Sequence, residues 1–98
     1  MNKNNNLVSL DILWDVAKSK NIDKYIKEIQ FSDKTDKKYY IININNKKIY
    51  FGSSEYSDYL IHKDKIRRDN FRLRFNKLFE KNKNNINSAI YWSYLLLW

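Results

Sequence analysis

Along the first third of the chain, apolar residues recur at helical spacing. Leu10, Leu13, Trp14 and Ala17 fall at i, i+3, i+4 and i+7 and share one face. Ser9 stands at the N-cap, Asp11 and Asp15 lie toward the start, and Lys18 and Lys20 lie toward the end, as the helix macrodipole favours. Asn21 closes this helix. The next stretch supports two periods. Ile22, Tyr25, Ile26 and Ile29 fit a helix, whereas Ile29 and Phe31 alternate as in a strand. A strand over about 27–32 is preferred because hairpin material follows. Residues 33–38 form a charged turn, 39–44 are β-branched and aromatic, Asn45-Asn46 tolerates positive φ, and 48–51 returns. A three-stranded antiparallel meander is expected.

Gly52, the only glycine, ends the last strand where a positive φ is needed. A tyrosine-rich connection over 53–62 leads to Asp64, the N-cap of a helix over 65–81. On that helix Phe71, Phe75, Leu78 and Phe79 make one apolar stripe, while Ile66 and Leu73 point the opposite way. Apolar residues on two sides suggest a helix sandwiched between layers. Arg67 and Arg74 flank the stripe on one edge, Arg68 and Arg72 on the other. After a solvated loop over 81–87, Ser88 caps a short, almost wholly apolar helix over 89–98. The fold class is α+β: an N-terminal helix, the meander, a long basic helix and a short aromatic C-terminal helix. No repeat or linker divides the chain, so residues 1–98 read as a single small domain, with 1–8 as a flexible polar leader.

Charge changes the picture at one place. Of the formal net charge of +8, residues 62–83 hold +6, and all four Arg fall between Arg67 and Arg74. The abundance of Asn, Lys and Ile with no Pro points to an AT-rich coding sequence, so the Arg are more telling than the Lys. A basic face of this kind attracts phosphate. Lys63, Lys65, Arg67, Arg68, Arg72, Arg74 and Lys77 are therefore the candidate nucleic-acid-binding residues, with the DNA or RNA backbone as partner. No helix-turn-helix, zinc finger or RNP motif accompanies them, so base-specific readout is not expected. The competing reading is a solvated face whose Lys and Arg stems cover a thin core.

Other chemistry is sparse. With no Cys there is no disulfide or thiolate metal site, and the single His would need carboxylates to hold a metal. His62 lies beside Asp58 and Asp64, an arrangement that could serve acid–base work, but no activated nucleophile accompanies it. Neither a catalytic residue nor a cofactor is expected; His62 is read as donating to a carboxylate and fixing the helix entrance. Tyr56-Ser57-Asp58-Tyr59 could offer two rings for base stacking. Alternatively Ser57 and Asp58 bond nearby backbone N–H groups while the tyrosines pack under the helix, which is the preferred reading. Gly52, Tyr56, Ser57, Asp58, Tyr59, His62 and Asp64 are thus taken as a structural motif. Tyr91, Trp92 and Trp98 could form a partner or homo-oligomer interface if the C-terminal helix is more apolar than its own core can cover. The apolar run there is well short of the ~20 residues of a membrane span.

From about residue 37 onward the chain resembles a family of short, uncharacterised proteins of large eukaryotic DNA viruses, mimivirus and its relatives among them. The resemblance rests on Lys37-Lys38-Tyr39, Phe51-Gly52, Tyr56-Ser57-Asp58-Tyr59, Ile61-His62-Lys63-Asp64, Arg67-Arg68, Trp92-Ser93 and Leu96-Leu97-Trp98. This chain departs from the family pattern at Tyr50, Glu55 and Phe75. Residues 37–98 are the family-like core. The resemblance implies a viral provenance, with residence in the host cytoplasm or the virion, and no established activity. The leading expectation is a non-enzymatic viral protein that binds nucleic acid through phosphates; the alternative is a minor structural virion or assembly protein that uses its aromatic C-terminal face.

Overall fold

The computed structural model describes residues 7–98. The polar leader expected at 2–6 lies outside them. Leu7 and Val8, assigned to the same leader, are instead half-buried against the core, and the Val8 N–H donates to the Tyr39 hydroxyl at 2.9 Å. Burial pushes that phenol up to about 12, so it stays neutral at physiological pH.

Helix α1 (Leu10–Ser19) buries Leu13 and Ala17, the centre of its apolar face. Ser9 occupies the N-cap position, although its side chain makes no capping bond. Asn21 ends the helix in the left-handed region at φ 60°, with Ile22 N–H returning to Ala17 O at 3.0 Å and Asn21 N–H to Lys18 O at 3.1 Å. These two bonds satisfy carbonyls that a helix end leaves orphaned. The ambiguous stretch that follows divides into a 3₁₀ turn (Asp23–Tyr25) and strand β1 (Ile26–Phe31).

Strands β2 (Lys37–Asn43) and β3 (Lys48–Ser53) complete an antiparallel sheet in the order β1-β2-β3. Its register places Phe31 beside Tyr39, Tyr39 beside Phe51 and Ile41 beside Ile49. Alternation puts Ile29, Tyr39, Ile41, Ile49 and Phe51 on the buried face. Asn43 ties the hairpin to the rest of the fold. Its Oδ1 accepts from Asn45 N–H (2.9 Å) and Lys47 N–H (3.1 Å), while its Nδ2 donates to Ile86 O (2.8 Å) and Asn87 Oδ1 (2.7 Å). A fully buried carboxamide is thereby fully bonded. Gly52 sits inside β3 rather than after it, at φ 81°, where an added Cβ would lie 3.3 Å from Lys38 Cβ.

The connection after β3 contains a turn of helix the sequence did not suggest, α2 (Tyr59–His62). Helix α3 (Lys65–Asn82) follows, and Asp64 caps it as expected, accepting from Ile66 and Arg67 N–H at 2.9 and 3.3 Å. Such a cap stabilises a helix by about 1 kcal/mol. The C-terminal segment begins as α4 (Ala89–Trp92) and passes into a π turn (Ser93–Leu97), not the uniform α-helix expected. It packs beneath the sheet, against α1 and α3, and brings Trp92, Leu96 and Leu97 to the centre of the single core.

Two expectations are corrected by this packing. α3 is not sandwiched: Phe71, Phe75 and Phe79 turn inward and are half-buried, but Ile66 and Leu73 are 73% and 80% exposed. The C-terminal segment and α2 pack against only one side of α3. Nor do Tyr91 and Trp92 form an outward patch. They are 4% and 0% exposed, packed into the core, where large rings bury much area per residue. Trp98 stacks flat on Phe71, with centroids 4.3 Å apart. No helix of the described residues is long and apolar enough to cross a membrane.

Candidate nucleic-acid interface

The four arginines of α3 separate into two groups with different work. Arg72 turns toward the C-terminal segment, and Arg68 toward Tyr59. Arg72 Nη2 donates to Trp98 O at 2.7 Å, Lys20 Nζ donates to Leu95 O, and the Arg68 guanidinium lies 4.7 Å over the Tyr59 ring. Cations at the exposed carbonyls of a helix end are favoured by its macrodipole. Burial first, and then Arg72 and Arg68, lower the pKa of Lys20. Arg72, expected as a phosphate ligand, is therefore redirected to holding the C-terminal helix in place, while Arg68 packs over Tyr59 and lies 3.6 Å from Asp69.

Arg67 and Arg74 face the other way. Both are exposed, and both line an open cleft of about 840 Å³ between α3, the ends of β2 and β3, and the C-terminal helix. Lys37 and Lys38 enter from β2, Tyr56, Ser57 and Asp58 from the connection, and Phe71, Phe75, Leu97 and Trp98 form an apolar floor. Lys38 is not free to bind anything. Its Nζ lies 2.8 Å from Asp58 Oδ2, and the two side chains are only 1% and 4% exposed. Among the described residues, no carboxylate lies within ion-pair distance of Lys37, Arg67 or Arg74. The cleft thus carries three uncompensated cations. Lys63, Lys65 and Lys77 are also exposed along α3 and its approach, outside the cleft lining.

The structural motif is partly as expected. Asp58 Oδ1 accepts from Leu60 N–H at 3.1 Å and caps α2. Tyr59 is half-buried beneath Arg68, but Tyr56 is 64% exposed and does not pack under the helix. His62 does not donate to a carboxylate; its Nδ1 accepts from Asp64 N–H at 2.9 Å. That bond requires an unprotonated Nδ1, so the proton of the neutral ring sits on Nε2, which is buried without a partner. The carboxylates that flank it in sequence are engaged elsewhere, Asp58 with Lys38 and Asp64 at the α3 cap.

Desolvation, and after it Arg67, lowers the His62 pKa from its ordinary 6.5. The unfolded chain then takes up the proton at higher pH than the folded one does. Stability is therefore fully present above about pH 6.5 and falls as pH drops toward the folded value. His62→Asn, which keeps an acceptor near the Asp64 N–H, is expected to flatten that slope, since no other His titrates in the chain. Urea midpoints of both proteins between about pH 5 and 8 check this; an equal slope in the variant would contradict it.

Sequence reasoning missed Lys37, Lys20 and the Lys38–Asp58 pair. The signal in the sequence was Lys37-Lys38 at a strand start, hidden because residues 31–61 hold five Lys against four acids.

A family model described as "Family of unknown function (DUF5754)" matches residues 27–75, from β1 through the part of α3 that lines the cleft. No curated protein and no solved structure matches.

Proposed function

The chain belongs to that family of unknown function, DUF5754, and from this starting point we propose a small, non-enzymatic viral protein that binds nucleic acid through phosphate contacts, without sequence specificity. The viral part rests on the sequence resemblance and the AT-rich composition. It would place the protein in the host cytoplasm, at the virus factory, or in the virion. One observation carries the binding part: Lys37, Arg67 and Arg74 converge on one cleft with no acidic partner, while the neighbouring Lys38 is neutralised. Unpaired guanidinium groups at an open cleft suit phosphate oxygens, which they can engage in bidentate fashion. Lys63, Lys65 and Lys77 extend the positive field along the helix.

Titration of a labelled duplex DNA at several salt concentrations tests the reading. Affinity is expected to fall with salt at a log–log slope of about 0.9 per neutralised phosphate. Scrambling the sequence is expected to leave affinity unchanged, because nothing in the cleft matches a base-reading motif. Binding that ignores salt would overturn the proposal.

A second reading, a minor structural or assembly protein, loses the buried Tyr91 and Trp92 as its contact face. It keeps one supporting observation, the exposed Ile66 and Leu73 two turns apart on the outer ridge of α3. Self-association abolished by Leu73→Lys, with no affinity for DNA, would favour it.

A further inference from the structure

Phosphate contacts leave the exposed Tyr56 at the cleft without a role. We infer that the cleft receives an unpaired base, so that its ligand is a single strand of nucleic acid; this rests on phosphate recognition by the same edge. Arg67, Asn70, Phe71 and Arg74 fall at i, i+3, i+4 and i+7 on one face of α3, and all line the cleft. The two arginines rise from points about 10 Å apart along the helix axis. An amide able to bond a base edge, and a ring, lie between them.

Tyr56 lines the same cleft. The residue is 64% exposed, and its ring makes none of the ring contacts that engage Phe71 with Trp98 and Phe75. An exposed aromatic beside uncompensated cations is the combination by which single strands are held: the backbone follows the charge and the base stacks on the ring. In a duplex the faces of the bases are covered by their neighbours, and Tyr56 would have nothing to stack on. Charge complementarity selects the occupant. A neutral chain would leave Lys37, Arg67 and Arg74 unanswered, and an acidic peptide would leave the ring unanswered.

Fluorescence anisotropy separates these cases. The probes are a labelled strand of about 12 nucleotides, an abasic strand of equal length, the corresponding duplex, and polyglutamate. The base-bearing strand is expected to bind roughly 5- to 100-fold more tightly than the abasic one, the factor a stacked base contributes. Tyr56→Ala is expected to remove most of that difference and Tyr56→Phe to keep it; the exposed position makes both variants safe for folding. The duplex is expected to bind more weakly than the single strand. Equal affinity for base-bearing and abasic strands would overturn the base pocket and leave the phosphate reading standing. Failure of all three nucleic-acid probes to bind would overturn both, and so would polyglutamate binding as tightly as the base-bearing strand.

Discussion

Asp58→Ala is expected to destabilise the domain by about 3–5 kcal/mol, the cost of stranding a buried charge. The Lys38 ammonium lies 2.8 Å from Asp58 in a site where the two side chains are 1% and 4% exposed. Without the carboxylate, the Lys38 ammonium is left buried and unpaired unless the connection over 53–58 opens to water. The variant also loses the N-cap of α2, where Asp58 accepts from Leu60 N–H at 3.1 Å. Against the ~5–15 kcal/mol that stabilises a typical domain, a loss of this size leaves little. The double replacement Lys38→Met with Asp58→Leu is expected to recover much of it, since paired buried charges are often replaceable by apolar groups of similar volume. Urea unfolding of the two variants and the parent measures both effects. An Asp58→Ala protein within about 1 kcal/mol of the parent would show that the site is wet and the pair incidental.

The second large effect is expected at Trp92. Its ring is fully buried, meets Tyr91 edge-on at 4.8 Å, and its Nε1 donates to Ile86 O at 2.8 Å. Trp92→Ala is expected to cost about 3–5 kcal/mol through the cavity alone. It also removes one of the two donors to the Ile86 carbonyl, leaving it to Asn43 alone. Denaturant unfolding measured together with light scattering separates this from the interface alternative. An unchanged midpoint with conversion of a dimer to a monomer would return Tyr91 and Trp92 to a partner contact.

What could be read from the sequence was local. Asn21 after a helical stripe, Asn45-Asn46 between strands and Asp64 before the basic helix each act through their own few residues, and each stands where its chemistry requires. The α+β order followed from these signals together with the change of period from 3.6 to 2. What could not be read depends on contacts distant in sequence. Lys38 and Asp58 are twenty residues apart, and nothing in either neighbourhood announces the other. The work of Arg72 depends on the C-terminal segment, since the Leu95 and Trp98 carbonyls supply the acceptors for Lys20 and Arg72. Periodicity showed two apolar sides on α3 but could not show that only one would be covered. Tyr56 carried a structural and a stacking reading, and only its exposure distinguishes them.

The central claim is that Arg67 and Arg74 contact phosphate while Arg72 holds the C-terminal helix. The salt dependence of DNA binding, compared between the parent and the Arg67→Gln/Arg74→Gln variant, tests it most directly. With a duplex probe the log–log slope is expected to become shallower by about 1.8 in the variant, two phosphates at ~0.9 each, with the urea midpoint preserved. Arg72→Gln is expected to do the reverse, lowering the midpoint and leaving the slope of the folded protein unchanged. An undiminished slope in Arg67→Gln/Arg74→Gln would contradict the account.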